Sequence, residues 1–296
     1  MQPRPPLLSE SAARQQVIDV CRRLYERGLI AAGDGNVSVK LDSERVLVTP
    51  SGFHKGLMKP EDLIITDLQG RRLKGLHKPS SEFLMHAQCY AERPDIHAVV
   101  HAHPPMTVAL ALAGVTLSQC VLSETCLLIG PILTAPYSTP TTDEVPRVLQ
   151  PYLRQANAVV LDRHGALTLG RTLDEAWHRM EAIEHAAKIT QAARAIGPVA
   201  PLPPPEVDKL QALAVKLGIP RPPEPCTLCN ACPSGRGGPQ PAPRRSTAGS
   251  CACAGTCAGT CAGGCAGAAN PGLSASPPAV SAEQTLLDAV LARLRT

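Results

Sequence analysis

The sequence predicts an α/β sandwich built on a largely antiparallel sheet. Two observations carry this expectation. Over the first ~195 residues, short runs of apolar and β-branched residues alternate with amphipathic stretches, but without the strict strand–helix–strand rhythm of a parallel sheet. The composition then breaks: all seven aromatic residues lie at or before Trp177, whereas 16 of the 30 prolines fall between Gly197 and Val280 and eight of the 12 cysteines between Cys226 and Cys265. A packed domain should therefore come first. The Pro-, Gly- and Ala-rich remainder has too few large apolar residues to offset its ordering entropy, and is expected to be a largely disordered tail.

The elements follow in order. An amphipathic helix is expected from about Ser9 to Gly28, then strands near Asn36–Leu41, Arg45–Val48 and Leu63–Thr66. A second helix should begin at Ser80 or Ser81, capped by either hydroxyl, and end before Pro94. Strands are expected at Ile96–His101, Ala158–Leu161 and Ala166–Leu169, with helices at Met106–Ala113, Asp143–Leu153 and Thr172–Ala195. A last helix, Pro205–Gly218, closes before Pro220, which sets the first domain at residues 1–220. A linker at 221–280 and an amphipathic segment at 281–296 complete the chain.

The charge balance of 29 Lys+Arg against 25 Asp+Glu leaves +4, too small and too dispersed for a nucleic-acid or membrane-surface protein. No apolar run approaches the ~20 residues of a membrane span, and the N-terminus has no secretory apolar core. A soluble cytoplasmic protein is expected.

The chemistry starts at His101-Ala102-His103. In an extended segment positions i and i+2 share a face, so both imidazoles can reach one ion. His164 offers a third at the end of another expected strand, and Glu82 an acidic group, together a common catalytic zinc set. Ser80 and Ser81 place hydroxyls beside the N–H groups of a helix start, which favours an anion such as phosphate. Gly33-Asp34-Gly35-Asn36-Val37-Ser38 and Thr49-Pro50-Ser51-Gly52 are further turns with exposed N–H groups and small polar side chains, each by itself a weak phosphate-loop signal or an ordinary turn.

In the order GNVS, TPSG, PSSE, HAHP, APYSTP and RHG, these motifs resemble the class II aldolase/adducin family over about Ala13 to Ala195, most of all its fuculose-phosphate aldolase branch. The resemblance implies an α/β/α sandwich around a mainly antiparallel sheet and a homotetramer with active sites between subunits. It implies Zn2+ on His101, His103, His164 and Glu82, with Glu82 also the acid/base. It further implies a phosphate pocket at Gly35, Asn36, Ser51, Gly52, Ser80 and Ser81. The activity implied is cleavage of a ketose 1-phosphate, such as fuculose 1-phosphate, to dihydroxyacetone phosphate and an aldehyde such as lactaldehyde. Family alternatives are a sugar-phosphate dehydratase or 4-epimerase, and a non-catalytic adducin-like assembly protein, against which the complete donor set argues. Two family tyrosines lack counterparts: one position falls on Leu122, and the tail contains no aromatic residue. Glu124 stands where related dehydratases place an acidic group, and is an extra acid/base candidate or an interface residue.

Two tail motifs remain. Cys226-x2-Cys229-x2-Cys232 could hold a second metal or an iron–sulfur cluster, or be a solvated stretch of reduced thiols. In Ser281–Thr296, Ser281 and Gln284 have capping-box spacing, and Leu286, Leu287, Val290, Leu291 and Leu294 form one apolar stripe. A short amphipathic helix on a long linker resembles the encapsulation peptides of bacterial microcompartments, which implies a shell or cargo protein as partner.

Overall fold

The computed structural model describes residues 7–229. Seven helices, α1 (Glu10–Glu26), α2 (Phe83–Glu92), α3 (Pro105–Leu112), α4 (Ser123–Leu128), α5 (Glu144–Leu153), α6 (Leu173–Ile196) and α7 (Pro204–Lys216), surround a single sheet. Its strands are β1 (Asn36–Lys40), β2 (Val46–Val48), β3 (Ile64–Thr66), β4 (Arg72–Lys74), β5 (Ala98–Ala102), β6 (Ile132–Ala135), β7 (Ala158–Leu161) and β8 (Gly165–Gly170). The sheet order is β4-β3-β2-β1-β5-β8-β7-β6, and every pairing is antiparallel except β6 with β7.

Both faces of the sheet are covered, as the α/β/α expectation required. Val37, Val39, Val100 and Val160 face a core shared with α1, α3 and α6. Their neighbours Val99, Val159, Leu161, Leu167 and Leu169 face a second core with α2, α4, α5 and α7. Burial on both faces explains why the central strands read as continuous apolar runs rather than alternating ones. Arg93 ties the second layer together: it is 1% exposed, pairs with Asp95, and donates to the Leu153 and Ala156 carbonyls and to Asn157. A buried guanidinium with five satisfied donors ends α2 and α5 at one fixed point.

Several expectations need correction. β4, β6 and α4 were not anticipated. Helix α2 starts at Phe83, not Ser80 or Ser81, and no side chain caps it; Ser80 Oγ instead accepts from the N–H of Glu82, the N-cap residue. The linker does not begin at 221. Residues 221–229 lie against the domain: Glu224 N–H donates to the Arg154 carbonyl, Arg221 to the Cys126 carbonyl, and Thr227 to Gln155 through both N–H and hydroxyl. Cys226 and Cys229 are 7% and 2% exposed, inside the second core, so they are not solvated thiols. Cys232, the rest of the 221–280 linker and the 281–296 segment lie outside the described residues. Among the described residues, no helix is long and apolar enough to cross a membrane.

Candidate active site

The site forms in the middle of the sheet, where the C-terminal end of β5 meets the start of β8. β5 is paired on both sides, with His101 opposite Asn36 of β1 and Leu167 of β8. His101 is fully buried, and its Nδ1 donates to the Ala166 carbonyl at 3.0 Å, which leaves Nε2 as a lone pair aimed outward from the strand. His103 follows just past the strand, its N–H held by the Leu29 carbonyl and its Nδ1 3.4 Å from Asp34. His164 comes from the turn between β7 and β8.

Two glycines make this crowding feasible. A Cβ on Gly165 would sit 2.4 Å from the Ala102 carbonyl and 2.7 Å from the His103 ring, so the residue after His164 must lack one. Gly35 has φ +67°, and its Cβ would meet the His101 carbonyl at 2.7 Å.

One ligand atom from each of His101, His103 and His164 lies within 4.8 Å of the others. Glu82 lies beside two of them: Oε1 is 3.1 Å from His164 Nε2 and Oε2 is 3.5 Å from His101 Nε2. His103 Nε2 and His101 Nε2 are 3.1 Å apart. Zinc–nitrogen bonds of about 2.0–2.1 Å put tetrahedral donors about 3.3–3.4 Å apart, so the observed separations suit one small cation. Such a cation also answers an electronic need. With Nδ1–H of His103 turned to Asp34, the two Nε2 lone pairs face each other across 3.1 Å.

The electrostatics agree with neutral imidazole donors. Burial pushes the His101 ring well below its ordinary pKa and lowers that of His103. Burial alone would raise the Glu82 carboxyl, but the hydrogen bonds from His164 and Asn36 and the facing His101 ring hold it well below the usual carboxylate range.

Behind Glu82 runs a buried chain of hydrogen bonds whose direction is determined. Asn36 Nδ2 donates to Glu82 at 2.8 Å, so Asn36 Oδ1 must accept from His86 Nε2, at 2.5 Å. His86 Nδ1 then accepts from the Ser38 hydroxyl at 2.6 Å, and Ser38 accepts from Tyr90 at 2.7 Å. Burial lowers the His86 pKa to about 4, which keeps it neutral. The sequence reading missed Ser38, His86 and Tyr90. Their spacing was available: Asn36 and Ser38 alternate on β1, and Glu82, His86 and Tyr90 recur every four residues.

The expected phosphate loops are adjacent but not as imagined. The Ser51 N–H donates to the Lys78 carbonyl and the Ser80 N–H to the Thr49 carbonyl, with Pro50 bridged to Pro79. These two amides are thus spent on joining the turns. Ser51, Gly52 and Ser81 are exposed and Ser80 half-buried, while Gly35 and Asn36 are buried, with both ends of the Asn36 amide engaged. Lys55, also unanticipated, is 3% exposed and donates to the Gly33 and Phe53 carbonyls, bracing the first two loops. Glu124 is exposed on the first turn of α4, and none of its described contacts reaches Glu82 or the histidines.

Comparison with known proteins places this geometry among relatives. Residues 15–191 match the family model described as the class II aldolase and adducin N-terminal domain. The chain is 31% identical over 186 residues to a 3-oxo-tetronate 4-phosphate decarboxylase of Haemophilus influenzae, covering 62% of this chain and 88% of that one. It is 32% identical over 175 residues to an L-fuculose phosphate aldolase of Methanococcus vannielii, covering 59% and 93%. Among solved structures, an L-fuculose 1-phosphate aldolase superimposes with a TM-score of 0.65 at 28% identity, covering 72% of this chain and 98% of that one.

Proposed function

The chain belongs to the class II aldolase and adducin family, and from that premise we propose that it is a zinc-dependent lyase. Its substrate in this reading is a ketose 1-phosphate of the fuculose type, cleaved to dihydroxyacetone phosphate and a short aldehyde. The observation that carries the reading is Glu82, whose carboxylate bridges His164 and His101 at 3.1 and 3.5 Å. His101, His103, His164 and Glu82 would hold the metal. When bound, the metal supplies Lewis acidity, stabilising negative charge that develops on the substrate's carbonyl oxygen.

The remaining work falls to the chain's own groups. Aldol cleavage takes a proton from the hydroxyl that becomes the aldehyde and delivers one to the three-carbon fragment. Glu82 serves both transfers. Once substrate takes its place beside the imidazoles, Glu82 keeps its burial and loses the His164 and His101 contacts that lower its pKa, which makes it a better base. Asn36 and His86 fix the oxygen that Glu82 does not use. Hydroxyls of Ser51, Ser80 and Ser81 and the Gly52 turn would anchor the phosphate, so that its binding contributes orientation rather than chemistry. Gly35 shapes the floor of the pocket beneath His101. In this reading the protein works as a homotetramer.

The Haemophilus relative favours a second reading, decarboxylation of a phosphorylated oxo acid, on the same donor set. A panel of fuculose, rhamnulose and 5-deoxyribulose 1-phosphates, with a reductase detecting dihydroxyacetone phosphate, tests the first. A 3-oxo-tetronate 4-phosphate with carbon dioxide detection tests the second. Turnover of none of the ketose phosphates would overturn the aldolase reading. Dehydrated product without dihydroxyacetone phosphate would move it to the dehydratase branch.

A further inference from the structure

Two of the three imidazoles owe their places to the sheet: His101 stands on β5, and His164 in the turn that closes the β7–β8 pair. His103 does not. It lies past the end of β5, and its side chain is 28% exposed, against 0% for His101 and 9% for His164. Its own N–H is held by the Leu29 carbonyl. After it come Pro104, with φ −64°, and Pro105, the first residue of α3. Proline locks φ and has no N–H, so this link transmits a displacement instead of absorbing it. Pro104, as N-cap, also brings no capping side chain to an eight-residue helix.

The cap comes from α6. Glu184 Oε1 accepts the Met106 N–H at 3.1 Å, and Oε2 accepts both the N–H and the hydroxyl of Thr107 at 3.0 Å. The Glu184 side chain is 4% exposed, against 14% for Glu82, and Lys188 Nζ lies 3.6 Å from Oε1. A carboxylate this deep persists only when hydrogen bonds satisfy it, and the first amides of a helix suit its charge. Helix α6 is itself tied to the sheet beneath the cluster. The Thr168 hydroxyl donates to the Ala176 carbonyl and Arg179 to the Leu169 carbonyl, while Ile183 and Ala187 share a core with Val100 and Ala102. Glu184 thus refers the start of α3 to the strands that carry His101.

We propose that Glu184 is a positioning residue of the cluster, setting the place of His103 through α3 and the stiff Pro104–Pro105 link. The inference rests on the reading above, in which His101, His103, His164 and Glu82 hold a metal. None of the described contacts of Glu184 reaches a donor atom, so it acts only through the helix start. Its charge and both its oxygens are needed. Glutamine offers one acceptor oxygen and turns an amide NH2 toward the N–H of Met106 or Thr107, donor against donor. The start of α3 then shifts, and His103 shifts with it. His101, His164 and Glu82 keep their places, so the site loses one donor in four.

The test is a cobalt(II) titration read on the d–d absorption of a nitrogen–oxygen site. It uses the full chain with Cys232, Cys251, Cys253, Cys257, Cys261 and Cys265 replaced by serine, which removes the tail thiols as competing ligands. Glu184→Gln should weaken cobalt binding about 10–100-fold. In a His103→Ala protein, where that imidazole is already gone, the same substitution should change the affinity less than about twofold. An unchanged affinity in Glu184→Gln would overturn the proposal. So would an equal loss with and without His103, which is what a cap serving stability alone predicts. Should Glu184→Gln fail to fold, Thr107→Val deletes one of the three bonds and leaves the carboxylate in place. It should weaken binding about threefold, again only when His103 is present, and no change would overturn the proposal. A parent protein that binds no cobalt overturns the metal reading and this inference together, whereas binding that ignores Glu184 overturns the inference alone.

Discussion

His101 stands on a strand hydrogen-bonded along both edges, whereas Cys226 and Cys229 stand on a segment with neither helix nor strand. The first cluster is rigid by construction. Three of its donor pairs are already 3.1–3.5 Å apart, because sheet register, the Gly165 approach and the Asn36–His86 chain leave them nowhere else to go. The second is compliant: side-chain anchors hold its backbone, and its cysteines line an open cavity. The difference teaches what each cluster can be used for. Chemistry needs donors fixed before the substrate arrives, whereas a segment tied down by side chains alone meets no such demand.

The comparison can be broken most forcefully at Glu82. Glu82→Gln should fold normally, yet lose about 10²–10⁴-fold in kcat, since the amide cannot carry the proton. Near-normal turnover with the dihydroxyacetone phosphate assay would shift the acid/base role elsewhere, Glu124 being the first candidate. Next in size, Gly35→Ala should cost about 2–6 kcal/mol in denaturant unfolding, from its left-handed backbone and the contact with the His101 carbonyl. A neutral result would mean that the floor under His101 yields, and that the cluster is not rigid.

His86 sharpens the contrast through pH. Its folded pKa of about 4 lies below the ordinary 6.5, so below pH ~6.5 the unfolded chain takes up a proton that the folded chain refuses. This contribution is therefore complete above pH ~6.5 and lost as pH falls toward 4, roughly 3 kcal/mol in all. His86→Gln should flatten the stability–pH curve in that window, as urea titrations at several pH values would reveal. The smallest effect is expected at the compliant site. Gln155→Ala removes both Thr227 anchors and should cost about 1 kcal/mol, with kcat unchanged. A large drop in kcat would show that the two regions are coupled after all.

Sequence spacing disclosed the parts of the site that are local. The i and i+2 histidines needed only the knowledge that they lie on a strand. What joined them to His164 and Glu82 was the order of motifs, not any periodicity. The Ser38–His86 bond crosses 48 residues and the cysteine cavity about 100, and no local pattern encodes such pairings. The missed elements have their own reasons. β4 is exposed throughout and carries Arg72 and Lys74, so it lacks the apolar signal of a strand. β6 is four residues ending before Pro136, and is defined by its parallel partner β7 rather than by its own composition. α4 has six residues, too few to show a helical period.

Glu82 occupies the N-cap of α2, a position where a short polar side chain such as Ser or Asp accepts an N–H of the first turn and adds about 0.5–2 kcal/mol. Here the side chain faces the imidazoles instead, and the helix starts uncapped. The same carboxylate thus has two employers, the cluster and the helix, and cannot serve both. Whatever releases it from His164 can return a cap to α2, so the backbone amide of Leu84 becomes a built-in reporter of the site, Met85 N–H being already held by the Glu82 carbonyl. The hydrogen exchange of Leu84 should slow when a phosphorylated ketose saturates the protein, and should stay as it is when the phosphate alone is added.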